Sequence, residues 1–182
     1  MKVCIDAGHG GDDSGAVGSR PTRLLEKTFT LDLALLLEGE LELRGHWVVM
    51  TRRKDRAVSL SARASFANRL DAELFVSIHA NAAATSQAAG MEVYHFPDSG
   101  DGRTTARHVM KSMARAFPTH RNRGVKEANF AVLRRTDMPA ILVECEFITN
   151  PTQLRFLADE RNQEKLAVAI ADGIDALDAT PA

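Results

Sequence analysis

The sequence is short of cysteine, glycine, proline and long apolar runs, and each shortage excludes a class of protein. Two cysteines cannot build the disulfide framework of a small secreted scaffold. Twelve glycines and six prolines among 182 residues are too few for a collagen-like or low-complexity chain. What remains, 45% hydrophobic and 26% charged residues, is the composition of a folded globular protein.

An excess of charge of one sign is also missing. Twenty-three basic and 24 acidic residues leave a formal net charge of -1, so no overall field favours nucleic acid or an anionic membrane as a partner. The leucine-rich stretch 31–37 contains Asp32 and is far shorter than the roughly 20 apolar residues that span a bilayer. The N-terminal residues lack the uninterrupted apolar core of a secretory signal. We therefore expect synthesis in the cytoplasm without a signal peptide, no nucleic-acid binding and no membrane insertion.

Strand-like apolar segments alternate with helix-like amphipathic segments along the chain. The predicted strands are 2–7, 46–51, 73–79, 91–96, 130–133 and 140–147, and the predicted helices are 28–44, 60–70, 104–117, 151–158 and 162–177. The basic segment 119–128 is expected to be irregular. This alternation predicts a single α/β domain over residues 1–182, with a mostly parallel sheet covered by helices on both faces.

Two histidines follow apolar segments at points where strands are predicted to end. His9 comes after VCIDAG and His79 after LFVSI, and the carboxyl ends of parallel strands meet at one rim of a sheet. Taken singly, each is more simply a hydrogen-bonded structural histidine. Glu26 lies just ahead of the first predicted helix, where an acidic residue often only complements the helix dipole. Together, however, two histidines and one carboxylate form the ligand set of a catalytic zinc site, which keeps a fourth position for water.

A hydrolytic zinc site also needs a group that carries a proton, and Glu144 is the candidate. It lies within AILVECEF, a segment apolar enough to be buried, where an ionised carboxylate is costly unless it is paired. A structural salt bridge is the alternative role for this carboxylate. The adjacent Cys145 suggests a thiol hydrolase instead, but strand alternation puts it opposite Glu144 and no histidine motif adjoins it. Both Cys4 and Cys145 are expected to be buried and reduced.

Five sequence blocks support the zinc hypothesis because the blocks and their order along the chain resemble those of a known enzyme family. The blocks IDAGHGGDDSGAVG, LLEKTFTLDLALLL, VVMTR, LFVSIHANA and PAILVECEFITNP resemble the zinc-dependent N-acetylmuramoyl-L-alanine amidases of the type 3 amidase family. The resemblance implies a mixed sheet of about six strands flanked by helices. It also implies cleavage of the amide that joins the lactyl group of N-acetylmuramic acid to L-alanine, with one Zn2+ per chain. Position by position, it assigns His9, Glu26 and His79 as zinc ligands and Glu144 as the catalytic carboxylate.

The sequence departs from this family pattern at one position near the predicted site. Where the resemblance leads us to expect glycine after Cys145, the chain has Glu146. Since side chains alternate along a strand, Glu144 and Glu146 are predicted to share a face. Glu146 would then raise the pKa of Glu144, orient a histidine ligand from behind, or contact a cationic group of the stem peptide. A β-bulge or the end of the strand would instead turn it to solvent.

Substrate-binding residues are harder to identify from the sequence. Asn81, in HANA, either contacts substrate or shapes the loop after His79. Most arginines are expected to lie on solvated faces, among them those at 52, 53, 56, 121, 123, 134 and 135. The more specific hypothesis is that an arginine in the substrate-binding groove binds a carboxylate of the peptide. Arg123 and Arg134 are the candidates.

Other functions remain open on the sequence alone. The same zinc ligands would serve an endopeptidase that cuts within the stem peptide, and a catalytically silent wall-binding module would retain the same fold. Peptidoglycan is the expected partner in each case, and the chain is expected to be a monomer without an obligatory protein partner. Without a signal segment or a separate wall-binding module in the sequence, we expect a phage or prophage lysin that acts on the cell wall or periplasm after release. A processed or truncated cell-division amidase is the alternative.

Overall fold

A six-stranded sheet forms the centre of the computed structural model, which describes residues 1–178. The strands, in spatial order, are β4 (Trp47–Met50), β1 (Lys2–Ala7), β5 (Leu74–Asn81), β8 (Ala140–Phe147), β6 (Met91–His95) and β7 (Asn122–Glu127). Two further short strands, β2 (Val17–Gly18) and β3 (Leu24–Leu25), pair with each other in the loop after β1. The single domain predicted over 1–182 extends to residues 179–182, which lie outside the described part of the chain.

Strand direction determines which residues meet at the rim of the sheet. The strands β4, β1, β5 and β8 are all parallel, whereas β6 runs antiparallel to β8 and pairs in parallel with β7. The prediction of a mostly parallel, mixed sheet is therefore confirmed. The carboxyl ends of β1, β5 and β8 point in one direction and form one rim.

Helices cover both faces of the sheet. They are α1 (Glu26–Leu43), α2 (Leu60–Arg69), α3 (Gly100–Ala116), α4 (Ala131–Arg134), α5 (Pro151–Ala158) and α6 (Glu160–Asp178). The long helices α1, α3 and α6 pack together in the larger core, and α2 and α4 pack together in the smaller core on the other side. Ser59 caps α2 by accepting from the Ala62 N–H, and Asn150 caps α5, whose first residue is a proline. Within residues 1–178, no helix is both long and apolar enough to cross a membrane.

The two cysteines lie in different cores. Cys4 belongs to the smaller core and Cys145 to the larger, and both are free and fully buried. Burial, aided by the Asp6 carboxylate, raises the pKa of the Cys4 thiol to about 12, and burial also raises the pKa of the Cys145 thiol. A buried, protonated thiol is a poor nucleophile, which argues against the thiol-hydrolase hypothesis.

Two predicted elements are wrong. Residues 119–128, expected to be irregular, contain β7, and residues 130–133, expected to be a strand, overlap the short helix α4. As an edge strand, β7 has no fully buried residue, so it lacks an apolar alternation that would reveal it. The run FAVL is too short for its periodicity to separate a strand from one helical turn. Helix α1 also begins at Glu26, two residues earlier than predicted, so Glu26 lies in its first turn.

Candidate active site

The rim formed by β1, β5 and β8 brings the predicted site residues together. His79 lies on β5 directly opposite Glu144 on β8. His9 follows β1, whose end is held against β5 by a hydrogen bond from the Gly8 N–H to the Ile78 carbonyl, 3.1 Å. The two imidazole rings meet edge to face with their centroids 5.0 Å apart. Sequence positions 70 residues apart thus become neighbours because parallel pairing aligns the strand ends.

Glu26 completes a cluster of three possible metal ligands. Its Oε1 oxygen lies 3.1 Å from His9 Nε2 and 3.0 Å from His79 Nδ1. One ligand atom from each residue lies within 4.8 Å of the other two. Ligands bound tetrahedrally to zinc at about 2.0–2.2 Å are about 3.3–3.6 Å apart, close to the two shorter separations observed. The donor set, two imidazole nitrogens and one carboxylate oxygen, therefore fits Zn2+.

Backbone groups and the two histidines hold the Glu26 carboxylate in place. The Ala16 N–H donates to Oε2 at 2.8 Å and the Ala80 N–H donates to Oε1 at 3.1 Å. Burial opposes ionisation of this carboxyl, but hydrogen bonds from His79 and His9 outweigh it and hold the pKa of Glu26 well below its usual range. A buried, ionised carboxylate in this position attracts a cation.

His9 is held by a second carboxylate on its outer side. Its Nδ1 atom lies 2.9 Å from Asp13 Oδ2, while its Nε2 atom faces Glu26. Burial lowers the pKa of His9, but the hydrogen bonds and charges of Glu26 and Asp13 dominate and raise it to about 9. An imidazole with a carboxylate on the nitrogen away from the metal is a common arrangement in metal sites, since the carboxylate fixes the ring and makes it more basic. Asp13 was not among the residues predicted from the sequence, although its position four residues after His9 could have suggested this role.

Two glycines leave room for this cluster. A Cβ atom at Gly8 would lie 2.4 Å from the His79 ring. A Cβ atom at Gly15, which has a φ of 63°, would lie 2.6 Å from Glu26 Oε2. Any side chain at either position would collide with His79 or Glu26, so the glycine-rich loop allows the three candidate ligands to converge.

His9 itself has the left-handed φ of 62°, which is uncommon for a residue with a side chain. The turn is held from beneath by Arg52 and Arg63, which are 0% and 3% exposed. The expectation that Arg52 lies on a solvated face is therefore wrong, whereas Arg53 and Arg56 are exposed. The sequence did not indicate that Arg52 and Arg63 hold the backbone of the site, because their main partners are backbone carbonyls rather than a charged motif.

Glu144 lies beside the ligand cluster, in a cleft of about 490 Å3 whose walls include Leu60, Phe130 and Asn81. Its Oε2 oxygen is buried, and no hydrogen-bond donor within residues 1–178 reaches it. Burial raises the pKa of Glu144 to about 7, with His79 lowering it and the charges of Glu26 and Glu92 raising it further. A carboxyl group with a pKa near neutrality can both accept and return a proton.

The predicted substrate-binding residues do not all reach this cleft. Asn81 lines it, and its Nδ2 atom donates to Glu92 at 2.6 Å. Arg123 does not line the cleft, but it donates from Nε to the same Glu92 carboxylate at 2.7 Å. Arg134 is not brought to the cleft, because its guanidinium donates to Asn129 and lines a separate depression.

Glu146 does not share the environment of Glu144. Between β5 and β8 the pairing shifts from His79 opposite Glu144 to Asn81 opposite Phe147, so β8 has one extra residue there. This bulge breaks the alternation that predicted a shared face. Glu146 is 0% exposed, so it does not turn to solvent either. Its carboxylate lies 2.9 Å from His120 Nδ1 and accepts from the Gly90 N–H at 2.7 Å and the Phe147 N–H at 3.1 Å.

These contacts predict a structural effect of Glu146. We expect Glu146→Ala to lower the free energy of unfolding by about 3 kcal/mol, because it leaves the partly buried His120 and two buried N–H groups without their acceptor. Urea denaturation measures this loss, and Glu127→Ala is the control, since the exposed pair of Glu127 with Arg103 should contribute less than about 1 kcal/mol. A folded Glu146→Ala protein with unchanged stability and altered turnover would contradict the structural role.

Known proteins are similar to this one over nearly the whole chain. A family model described as N-acetylmuramoyl-L-alanine amidase matches residues 3–176. The probable cell wall amidase LytH of Staphylococcus epidermidis is 37% identical over 172 residues, which cover 94% of this chain and 56% of LytH. The N-acetylmuramoyl-L-alanine amidase LytC of Bacillus subtilis is 38% identical over 173 residues, which cover 94% of this chain and 34% of LytC. The chain thus spans about half the length of the first relative and a third of the second.

Solved structures share the fold. The catalytic domain of CwlV, an N-acetylmuramoyl-L-alanine amidase from Bacillus (Paenibacillus) polymyxa, superimposes with a TM-score of 0.90 at 41% identity, covering 98% of this chain and 99% of that one. The CwlD amidase of Clostridioides difficile, in complex with the GerS lipoprotein, superimposes with a TM-score of 0.92 at 30% identity, covering 98% of this chain and 99% of that one. The fold that carries the ligand cluster is therefore the fold of these amidase structures.

Proposed function

Because the chain belongs to the N-acetylmuramoyl-L-alanine amidase family, we propose that it hydrolyses the amide bond between N-acetylmuramic acid and the L-alanine of the stem peptide in peptidoglycan. The observation that carries this proposal is the meeting of His9, Glu26 and His79 within 4.8 Å, in the cleft that also contains Glu144. A candidate metal site beside a protonatable carboxyl group is an arrangement that supports amide hydrolysis by activated water.

His9, Glu26 and His79 would hold one Zn2+ through the atoms that already converge in the cleft. When bound, zinc supplies a Lewis acid that polarises a carbonyl group and makes water more acidic. Asp13 holds the His9 ring by its outer nitrogen, and the N–H groups of Ala16 and Ala80 hold Glu26. The ligands are therefore oriented by contacts that do not depend on substrate.

Glu144 moves the proton in the reaction that we propose. As a carboxylate, it accepts a proton from the water that attacks the scissile carbonyl carbon. As a carboxylic acid, it then gives this proton to the alanine nitrogen as the carbon–nitrogen bond breaks. Its pKa of about 7 suits both roles, and the residue lines the cleft beside the three candidate metal ligands.

Asn81 and Arg123 are our proposed substrate-binding residues. The buried Glu92 carboxylate contacts Arg123 and Lys126, so this cluster has two positive charges for one negative charge. The Arg123 guanidinium also lies over the Phe147 ring, 5.0 Å from its centroid. We propose that the excess positive charge attracts a carboxylate of the stem peptide, while Asn81 contacts the peptide within the cleft.

Product analysis tests the proposed bond specificity. Purified peptidoglycan incubated with the protein and Zn2+ should release peptides that begin with L-alanine and leave intact glycan strands with free lactyl carboxyl groups. Mass spectrometry of the soluble fraction identifies these products. Peptides that begin at a later residue would favour the endopeptidase alternative, and stoichiometric zinc binding without any release would favour a silent wall-binding module.

The cell wall is the proposed site of action, as the names of the similar cell wall amidases suggest. A role as a phage or prophage lysin stays a prediction, as does the monomeric state without an obligatory partner. Light scattering of the purified protein measures the oligomeric state directly.

A further inference from the structure

Two buried guanidinium groups lie side by side beneath the loop that carries His9. Arg52 donates from Nε to the Ala7 carbonyl and from Nη2 to the Gly8 carbonyl, each at 2.8 Å. Arg63 donates from Nη1 to the Ala7 carbonyl at 2.6 Å and from Nη2 to the His9 carbonyl at 2.7 Å. The carbonyl of Ala7, at the end of β1, and those of Gly8 and His9, which follow it, each therefore accept a hydrogen bond from a buried arginine.

Arg63 contacts the ligand residue itself. Its hydrogen bond to the His9 carbonyl fixes the peptide plane that follows His9, at the residue with a φ of 62°. With this plane fixed, the left-handed turn directs the His9 ring toward Glu26, where Nε2 lies 3.1 Å from Oε1. A backbone outlier of this kind persists only when the surrounding contacts determine it.

The ion pair of Arg63 does not by itself account for an arginine at this position. Its one carboxylate partner is Asp6, 2.7 Å away, which also accepts from the hydroxyl groups of Thr51 and Ser77. A buried ion pair of this kind contributes little net stability compared with well-packed apolar side chains. What an apolar side chain could not do is bind the carbonyls of Ala7 and His9.

We propose that Arg63 is a positioning residue that sets the zinc affinity of the site by holding the His9 turn, with Arg52 supporting the preceding carbonyls. The inference rests on the proposed metal site. Arg63 does not contact the reacting groups; it acts through the ligand residue.

The test compares zinc affinities, measured by competition with a chromophoric chelator. Arg63→Lys keeps the positive charge and can still pair with Asp6, but it cannot bind the carbonyls of Ala7 and His9 together. We expect it to weaken zinc binding about 10-fold to 100-fold and to alter the visible spectrum of the Co2+-substituted protein. Thr51→Val is the matched control, because it removes a hydrogen bond to Asp6 without touching the His9 loop; its zinc affinity should stay within about twofold of wild type.

Each outcome decides the proposal. Unchanged affinity and an unchanged Co2+ spectrum in Arg63→Lys would overturn it, as would equal losses in Arg63→Lys and Thr51→Val. If Arg63→Lys does not fold, Arg52→Lys is judged by the same criterion, since Arg52 holds two of the three carbonyls. A wild-type protein that binds no zinc would overturn the metal site itself, and the proposed function with it; wild-type binding with unaffected variants overturns the positioning role alone.

Discussion

Glu144→Gln should lower the turnover of peptidoglycan about a thousandfold while the protein stays folded and binds zinc normally. Glutamine has nearly the same shape as glutamate, so it should fit the space beside His79. Its amide, however, cannot accept a proton from water or return one to the leaving nitrogen. Loss of a general acid and base typically costs a factor of about 100 to 10,000 in rate, and a thousandfold loss corresponds to about 4 kcal/mol of activation free energy.

Initial rates of dye release from labelled peptidoglycan measure this effect, with zinc content determined on the same samples. Glu146→Gln is the matched control, because it makes the same substitution two positions further along β8, in a carboxylate that contacts His120 rather than the cleft. It should retain most of the wild-type turnover. If Glu144→Gln kept a tenth or more of the wild-type rate, another group would have to carry the proton.

Removing one of the proposed metal ligands should have an equally large effect for a different reason. His79→Ala leaves His9 and Glu26 as the only members of the cluster, and a site with two protein ligands should hold zinc far more weakly than one with three. We expect zinc to be lost on dialysis and turnover to fall to the background. The wild-type protein treated with a chelator should lose turnover in the same way and regain it when Zn2+ is added back.

Zinc analysis and thermal melting accompany these assays. Bound zinc stabilises the folded state by mass action, by about 4 kcal/mol when the free ion exceeds its dissociation constant a thousandfold. Zinc should therefore raise the melting temperature of the wild-type protein but not that of His79→Ala. His108→Ala is the control, since His108 lies on α3, outside the cluster. Full turnover in wild-type protein shown to be free of metal would contradict the zinc mechanism.

The sequence predicted the convergence at the rim because each residue follows a strong local signal. His9 and His79 come at the ends of apolar strands, Glu144 lies within one, and Glu26 begins a leucine-rich helix. Parallel pairing then brings such positions together whatever their separation along the chain. The family resemblance, confirmed by the match over residues 3–176, depended on the same blocks.

The features that the sequence did not predict depend on contacts without a local signal. Arg52 and Arg63 are buried because backbone carbonyls satisfy them, and no spacing of residue types indicates such partners. Strand β7 lies at an edge and has no buried face, so it looked irregular. The environment of Glu146 depends on one extra residue in β8, which a strict period of two cannot represent.

Because of that extra residue, Glu144 and Glu146 of β8 lie in two different environments. One carboxylate of the strand is turned to the cleft, and the other, two positions later, fastens the chain at Gly90 and His120. The proposed proton carrier and the structural contact are thus separate side chains of a single strand. A substitution at the second position should therefore change how firmly the segments around Gly90 and His120 are held, while the carboxylate in the cleft stays in place.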